Sequence, residues 1–322
     1  MVDEETPDPE LVVQAAEAGA RLDVFLARRG IVSSVAAGRR AVAAGSVRVN
    51  GRAAKKGNRL EPDDHVALSE APAESFALVP TPDVPLVLLY QDEAIVVVDK
   101  PAGLPSHPLD LGDGPSVASA LVARFPECSS ASPDPREGGL GHRLDVPTSG
   151  VIIAARSRAV WHRLRESLGT SGCEKTYRAE VVGTFPPASV PELVLPGASP
   201  SSLVVMAPIG RQGRRGSKVR VGAGREPLPA RTEIVLLEAR EDSSLVEAQL
   251  SLGRAHQVRA HLAYLGTPVR GDMTYGNGGD GSDGGDGRLR LHAWAVSLVH
   301  PTSHAPLHFE SPLPDWARLR GE

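Results

Sequence analysis

The sequence has only two cysteines in 322 residues, Cys128 and Cys173. That excludes a disulfide framework and any cysteine-based zinc cluster. No apolar run approaches the roughly 18 residues of a membrane span. Met1 to Glu10 carries Asp3, Glu4, Glu5, Asp8 and Glu10 without a single Lys or Arg. A secretory signal needs a basic start and an apolar stretch, so a cytoplasmic location is expected. Lysine is scarce, five against 30 arginines. Aromatic residues make up 4%, so each ring beside a polar motif carries more weight than usual. What is present, 41% hydrophobic and 23% charged residues, suits a soluble globular chain that can bury a core. The length suggests about two domains.

A net charge of −4 argues against a polyanion partner only until its distribution is read. Arg21 to Arg59 holds ten basic residues and one acid, Asp23; Arg211 to Arg231 holds seven and one, Glu226. Local patches decide polyanion binding more than net charge does. Either patch alone also fits a solvated basic face.

Residues 1–18, acidic and Ala-rich, are expected to be a flexible tail. Residues 19–70 are expected to be a small α/β unit. Leu22, Phe25 and Leu26 share one helical face. A second helix is expected from a cap at Ser33 or Ser34 to Ala44. Val47-Arg48-Val49 alternates like a strand, and Asn50-Gly51 is a hairpin signal. Residues 71–85 contain four prolines and read as a linker. Residues 86–322 form the second domain. Leu86–Tyr90 and Ala94–Val98 are expected to pair as a hairpin. Val160–Leu168 has helical spacing; Val151–Ala155, Tyr177–Val182, Ile234–Leu237 and Leu245–Leu252 read as strands. Without a regular βαβ alternation, the expected class is α+β with a largely antiparallel mixed sheet. Pro196–Arg231 and the Gly/Asp-rich stretch Asn277–Gly287 read as insertions. Asp280, Asp283 and Asp286 fit no calcium-loop spacing, so a flexible loop is expected there.

The densest chemical signal is Gly141-His142-Arg143-Leu144-Asp145-Val146-Pro147-Thr148-Ser149-Gly150. It places a carboxylate on a turn just before a β-branched strand, a rigid support for chemistry. Asp145 there can serve as nucleophile or general base, with Arg143 the nearest charge in sequence. On its own, Arg-Leu-Asp is most often a surface ion pair. A second cluster, Gly253-Arg254-Ala255-His256-Gln257-Val258-Arg259-Ala260-His261-Leu262, leads into a helix. Its Arg254, His256, Gln257 and Arg259 suit phosphate or carboxylate contact. His256 and His261 lie five apart, awkward for one helical face, and no zincin glutamate accompanies them; no metal site is expected. A third cluster, Glu174-Lys175-Thr176-Tyr177, opens a strand with a ring that can stack on a base or pack in the core.

These segments, in this order and with Val98-Asp99-Lys100-Pro101-Ala102-Gly103 before them, resemble the RluA-like pseudouridine synthases over residues 84–316. Arg21-Leu22-Asp23-Val24-Phe25-Leu26 and Gly45-Ser46-Val47-Arg48-Val49-Asn50-Gly51 resemble the ribosomal protein S-four-like RNA-binding module. The resemblance implies an isomerase that converts uridine to pseudouridine in RNA without cofactor or metal, flipping the target base from its stack. It implies Asp145 as the catalytic carboxylate, Tyr177 as the residue stacked on the uracil, and Arg259 as the carboxylate's partner. Arg143, His142, Arg254, His256 and Gln257 become candidate substrate contacts; Arg39, Arg40, Arg48, Lys55 and Lys56 become candidate RNA contacts of the small module. Ribosomal RNA of the large subunit is the favoured partner, with transfer RNA open. Three positions depart from the pattern. Pro147 stands where an acid is common. Leu252 stands where a small hydroxyl residue precedes Gly-Arg, and is expected to alter packing under the site. Residue 35, valine, stands where the module carries a basic residue. The rival readings are a non-catalytic RNA-binding or ribosome-assembly protein of the same fold, and a hydrolase, which would want a second catalytic carboxylate.

Overall fold

The computed structural model describes residues 10–32, 35–43, 45–68, 78–108, 114–170, 172–212, 218–276 and 287–321. They divide into two units, residues 1–75 and 76–322.

In the first unit a four-stranded sheet, ordered β1-β4-β2-β3, carries two helices. Its elements are β1 (Glu10–Val12), α1 (Leu22–Arg28), α2 (Val35–Ala43), β2 (Val47–Val49), β3 (Arg52–Ala53) and β4 (His65–Leu68). Leu22, Phe25 and Leu26 of α1 bury against Val42, Val47 and Val66. Gly38 lets the helices touch: a Cβ there would stand 2.7 Å from the Asp23 carbonyl oxygen. A glycine at this point of α2 is thus a packing requirement of α1. The expected tail is corrected from residue 10 onward. Glu10–Val12 pairs antiparallel with β4, and Val13 is fully buried. An acidic composition hid a strand whose Leu11, with Val13 just beyond its end, packs in the module's core. Residues 1–9, and the expected caps Ser33 and Ser34, lie outside the described residues.

The linker expectation is corrected in the same way at its far end. Leu78 is buried in the second unit's core, and the Thr81 hydroxyl hydrogen-bonds that of Ser119 at 2.8 Å. The second unit then runs through β5 (Val87–Gln91), β6 (Ile95–Lys100), α3 (Val117–Arg124), β7 (Ser149–Ala155), α4 (Arg158–Leu168), β8 (Glu174–Val182), β9 (Val194–Pro196), β10 (Ser202–Val205), β11 (Ile209–Gln212), β12 (Lys218–Val221), β13 (Arg225–Leu228), β14 (Thr232–Ala239), β15 (Ser243–Leu250), α5 (Gln257–Tyr264), β16 (Leu291–Val299) and β17 (Pro306–Glu310). Among the described residues, ten strands form one sheet ordered β5-β6-β7-β16-β8-β15-β14-β10-β9, with β17 on β16. Every pairing in it is antiparallel except β7 with β16. The class is α+β with a mixed sheet.

Ile95–Val98 is apolar throughout because both faces of β6 are covered. Val96 and Val98 pack with α3 through Val117 and Leu121; Ile95 and Val97 pack with α4 through Leu164 and Leu168. The second helix of this pair follows the expected spacing. α3 was not expected, although Ser116 and Ser119 cap its start reciprocally. At the parallel junction, Gly150 has φ +118°, and a Cβ there would collide with the Ala293 carbonyl oxygen. Gly150 therefore lets β7 and β16 meet beside the Asp145 turn. The insertion expected over 196–231 contains a separate three-stranded sheet, β12-β11-β13. Its Val219 and Ile209 pack on Ala260 of α5. The Gly/Asp-rich stretch, apart from Gly287, lies outside the described residues.

Candidate active site

Asp145 sits on a turn closed by the Thr148 N–H donating to the Asp145 carbonyl at 3.0 Å. The end of β6 and the segment after it form a mould for this turn. The Lys100 ammonium is fully buried and donates to three carbonyls: Thr148 at 2.6 Å, Val146 at 3.0 Å and Pro101 at 3.0 Å. The Ser106 hydroxyl donates to the Leu144 carbonyl and accepts the Leu144 N–H. Gly103 N–H reaches the Val146 carbonyl. Burial lowers the Lys100 pKa to about 8, against the opposing pull of Asp145 and Asp99. An ammonium has three hydrogens for three carbonyls; the neutral amine has two.

Lys100→Met is expected to leave those carbonyls without a donor, at about 1–3 kcal/mol each. Calorimetry should show a melting temperature lowered by roughly 5–10 °C. In the wild type, turnover should fall on the alkaline side with a midpoint near pH 8. A turnover flat to pH 9.5 would remove the ammonium from this role.

Arg259, near the start of α5, supplies the opposite wall. Its buried guanidinium donates Nη1 to Asp145 Oδ2 at 2.6 Å, and Nε and Nη2 to the two oxygens of Asp272 at 2.7 Å each. Asp272 is fully enclosed and also accepts the N–H groups of Thr274 and Tyr275. Burial alone would raise the Asp272 pKa; the bonds from Arg259 outweigh it and hold the carboxyl below its usual range. Desolvation likewise opposes the charge on Arg259, and the two carboxylates reverse it, so its pKa is raised. Asp145 thus faces a fixed, permanently charged fork, which leaves its other oxygen, Oδ1, unengaged by the arginine.

Tyr177, half-buried on β8, packs on the core of the sheet, near enough for the charge of Asp145 to act on it. Burial raises its pKa, and Asp145 adds to the shift. The phenol therefore stays protonated at neutral pH. His256 brings Nε2 to 3.6 Å from Asp145 Oδ1. The structure thus gathers Asp145, Arg259, Tyr177 and His256, adding Asp272, Tyr275 and Lys100. From the sequence, Lys100 is expected near the site without a role, and the Gly271-Asp272 pair reads as a turn, which it also is. A lysine closing an apolar strand was the available signal for Lys100.

Other candidates have different surroundings. His142 accepts the Ile153 N–H on Nε2 at 3.1 Å. Burial lowers its pKa to about 3, so it is a neutral brace for β7. Gln257 is buried; its oxygen accepts the Arg254 N–H and its amide donates to the Arg231 carbonyl and Thr232 hydroxyl. It caps the approach to α5. Arg254 directs Nε to the Pro229 carbonyl at 3.2 Å. Arg143 is not the carboxylate's partner: it is exposed and makes no ion pair among the described residues. His261 is buried between the Ala207 carbonyl and Thr232 hydroxyl. Leu252 is 41% exposed, so the expected change of packing under the site does not occur there; Pro147 is exposed too.

In the first unit, Arg48, Lys55 and Lys56 are exposed. Arg39 is tied to buried Asp23 at 2.8 Å, which Arg21 also clasps. Hydrogen bonds from Arg21, then Arg39, lower the Asp23 pKa to about 2. Arg39 is therefore partly neutralised, and the Arg40 side chain lies outside the described residues. No helix among the described residues is long and apolar enough to cross a membrane.

Residues 94–264 match the RNA pseudouridylate synthase family, and residues 20–66 match the S4 domain. The chain belongs to the RNA pseudouridylate synthase family, which are isomerases. Among relatives, a ribosomal large subunit pseudouridine synthase D of Nitrosomonas europaea is 33% identical over 72% of this chain and 63% of its own length. An uncharacterized RNA pseudouridine synthase of Mycobacterium bovis is 34% identical over 95% of both chains. The structure of human RNA pseudouridylate synthase domain containing 1 superposes with a TM-score of 0.52 at 26% identity, covering 71% of this chain and 84% of that one.

Proposed function

We propose that this chain isomerises uridine to pseudouridine in large-subunit ribosomal RNA, with Asp145 as the catalytic carboxylate. The observation that carries the reading is the Asp145–Arg259–Asp272 array: one carboxylate 25% exposed, the other sealed behind a shared arginine. The target uridine must leave its stack to reach Asp145. The carboxylate then acts at the ribose, by attack on the anomeric carbon or by removing a ribose proton. The N1–C1′ bond breaks and the uracil turns; C5 bonds to C1′ as the Asp145–C1′ bond breaks or as the ribose proton returns, and N1 takes up a proton to match the one that C5 loses. Tyr177, kept as a phenol, offers a face for the loose uracil. Arg143, exposed beside the turn, is free to meet phosphate or fill the vacated stack. The large-subunit assignment draws on the names of relatives and on the basic module.

Because the C5–H bond breaks, RNA tritiated at uridine C5 reports the reaction. Tritium release is expected from large-subunit transcripts and not from transfer RNA transcripts. Release from transfer RNA alone would overturn the substrate, and release from neither would overturn the activity.

Of the module's candidate RNA contacts, Arg39 is tied to Asp23, whereas Arg48, Lys55 and Lys56 are exposed. Changing these three to Glu should weaken RNA binding and lower the slope of log K against log salt by roughly 2–3, at about 0.9 per phosphate lost. An unchanged slope in a filter-binding titration would exclude these residues from the interface.

A further inference from the structure

His256 is a non-glycine residue in the left-handed region, φ +55° and ψ +19°, immediately before α5. Such a conformation costs on the order of 1 kcal/mol and is retained where the surroundings demand it. The demand here is on both ring nitrogens. Nδ1 lies 2.9 Å from the Tyr275 hydroxyl, and Nε2 lies 3.6 Å from Asp145 Oδ1. The same hydroxyl already accepts the Val219 N–H at 2.9 Å. No other acceptor meets it among the described residues, so its single proton goes to Nδ1. Nδ1 is then the acceptor nitrogen, and the ring's hydrogen resides on Nε2.

We propose that His256 is a positioning residue: Tyr275 fixes it as the Nε2–H tautomer, and that neutral N–H holds the Asp145 oxygen which Arg259 leaves free. This rests on the reading of Asp145 as the catalytic carboxylate. The gap of 3.6 Å is longer than a hydrogen bond; closing it takes a small shift of the turn as substrate enters. The neutral donor suits the task. A second cation at Oδ1 would pull charge from the carboxylate, whereas a neutral N–H orients it. Tyr275 is itself edge-on to the imidazole, with centroids 5.7 Å apart, and lies under the Arg259 guanidinium. Through Val219 it also joins this geometry to β12 of the small basic sheet.

The test compares two replacements in the full chain. His256→Asn tolerates the left-handed backbone and keeps an oxygen near the Nδ1 position for Tyr275, but does not reach Asp145. His256→Gln places an amide N–H near the Nε2 position. Tritium release at saturating RNA should give a kcat lowered about 30-fold or more for Asn, with KM within about 3-fold, the loss expected when a positioning contact is removed. Gln should recover most of that loss. Tyr275→Phe, which frees the tautomer, should fall between them. Equal kcat for Asn and wild type would overturn the proposal. Equal losses in Asn and Gln, with both melting like wild type, would also overturn it, because a purely structural role does not distinguish them. Asp145→Asn run alongside separates the two claims: an active Asp145→Asn enzyme defeats the functional reading itself, whatever His256 does.

Discussion

Asp145→Asn is expected to lower kcat by at least about 10⁴-fold, the scale seen when a reacting group is removed from an otherwise intact site. The asparagine oxygen still accepts from Arg259, and Lys100 and Ser106 still mould the turn through backbone groups. The fold should therefore survive with a loss of about 1 kcal/mol, the worth of one weakened hydrogen bond. RNA affinity should hold or improve slightly, since a negative charge leaves the neighbourhood of phosphates. A variant keeping more than about 1% of wild-type turnover would mean that another group does the chemistry.

Arg259→Met is expected to disable both activity and stability. It leaves Asp272 enclosed with only the Thr274 and Tyr275 N–H groups. Breaking a buried pair on one side costs roughly 3–5 kcal/mol. The pH dependence carries a definite sign. In the wild type the Asp272 pKa is held below its ordinary value. Its ionised form therefore adds stability above about pH 4, the unfolded value, and that contribution is lost as pH falls through the folded pKa. In Arg259→Met, burial dominates and the pKa rises, so protonation relieves the variant. The gap in melting temperature between the two proteins should narrow on going from pH 7 to pH 5. Adding Asp272→Asn to the variant should restore part of the stability and none of the activity. A widening gap would place the energetic weight of Arg259 elsewhere.

The parts of this site legible in sequence were those in which a residue's role is local or motif-borne. The Asp145 turn announces itself through Pro147, Gly150 and the β-branched strand behind it. The apolar run of β6 and the spacing of α4 led directly to the layers that enclose them. Roles set by long-range burial were not legible. His142 and Gln257 sit among charged motif residues, yet each spends its polar atoms on backbone or neighbouring side chains. Lys100 acts on carbonyls 46 and 48 positions away, a distance no spacing rule spans. β1 was masked by the acidity around it, and β11–β13 by Pro, Gly and Arg. In both, period-two alternation over three or four residues is too short to stand out from composition. The Arg259–Asp145 pair was reached only through family resemblance, because 114 residues separate the partners.

The most direct test of the central claim is a map of pseudouridines in total RNA from the source organism, with and without this gene. Carbodiimide labelling and primer extension provide the readout, in a background cleared of redundant enzymes. The expected result is a site in large-subunit ribosomal RNA that disappears with the gene and returns with the wild type but not with Asp145→Asn. An unchanged map, or a site restored by Asp145→Asn, would contradict the account.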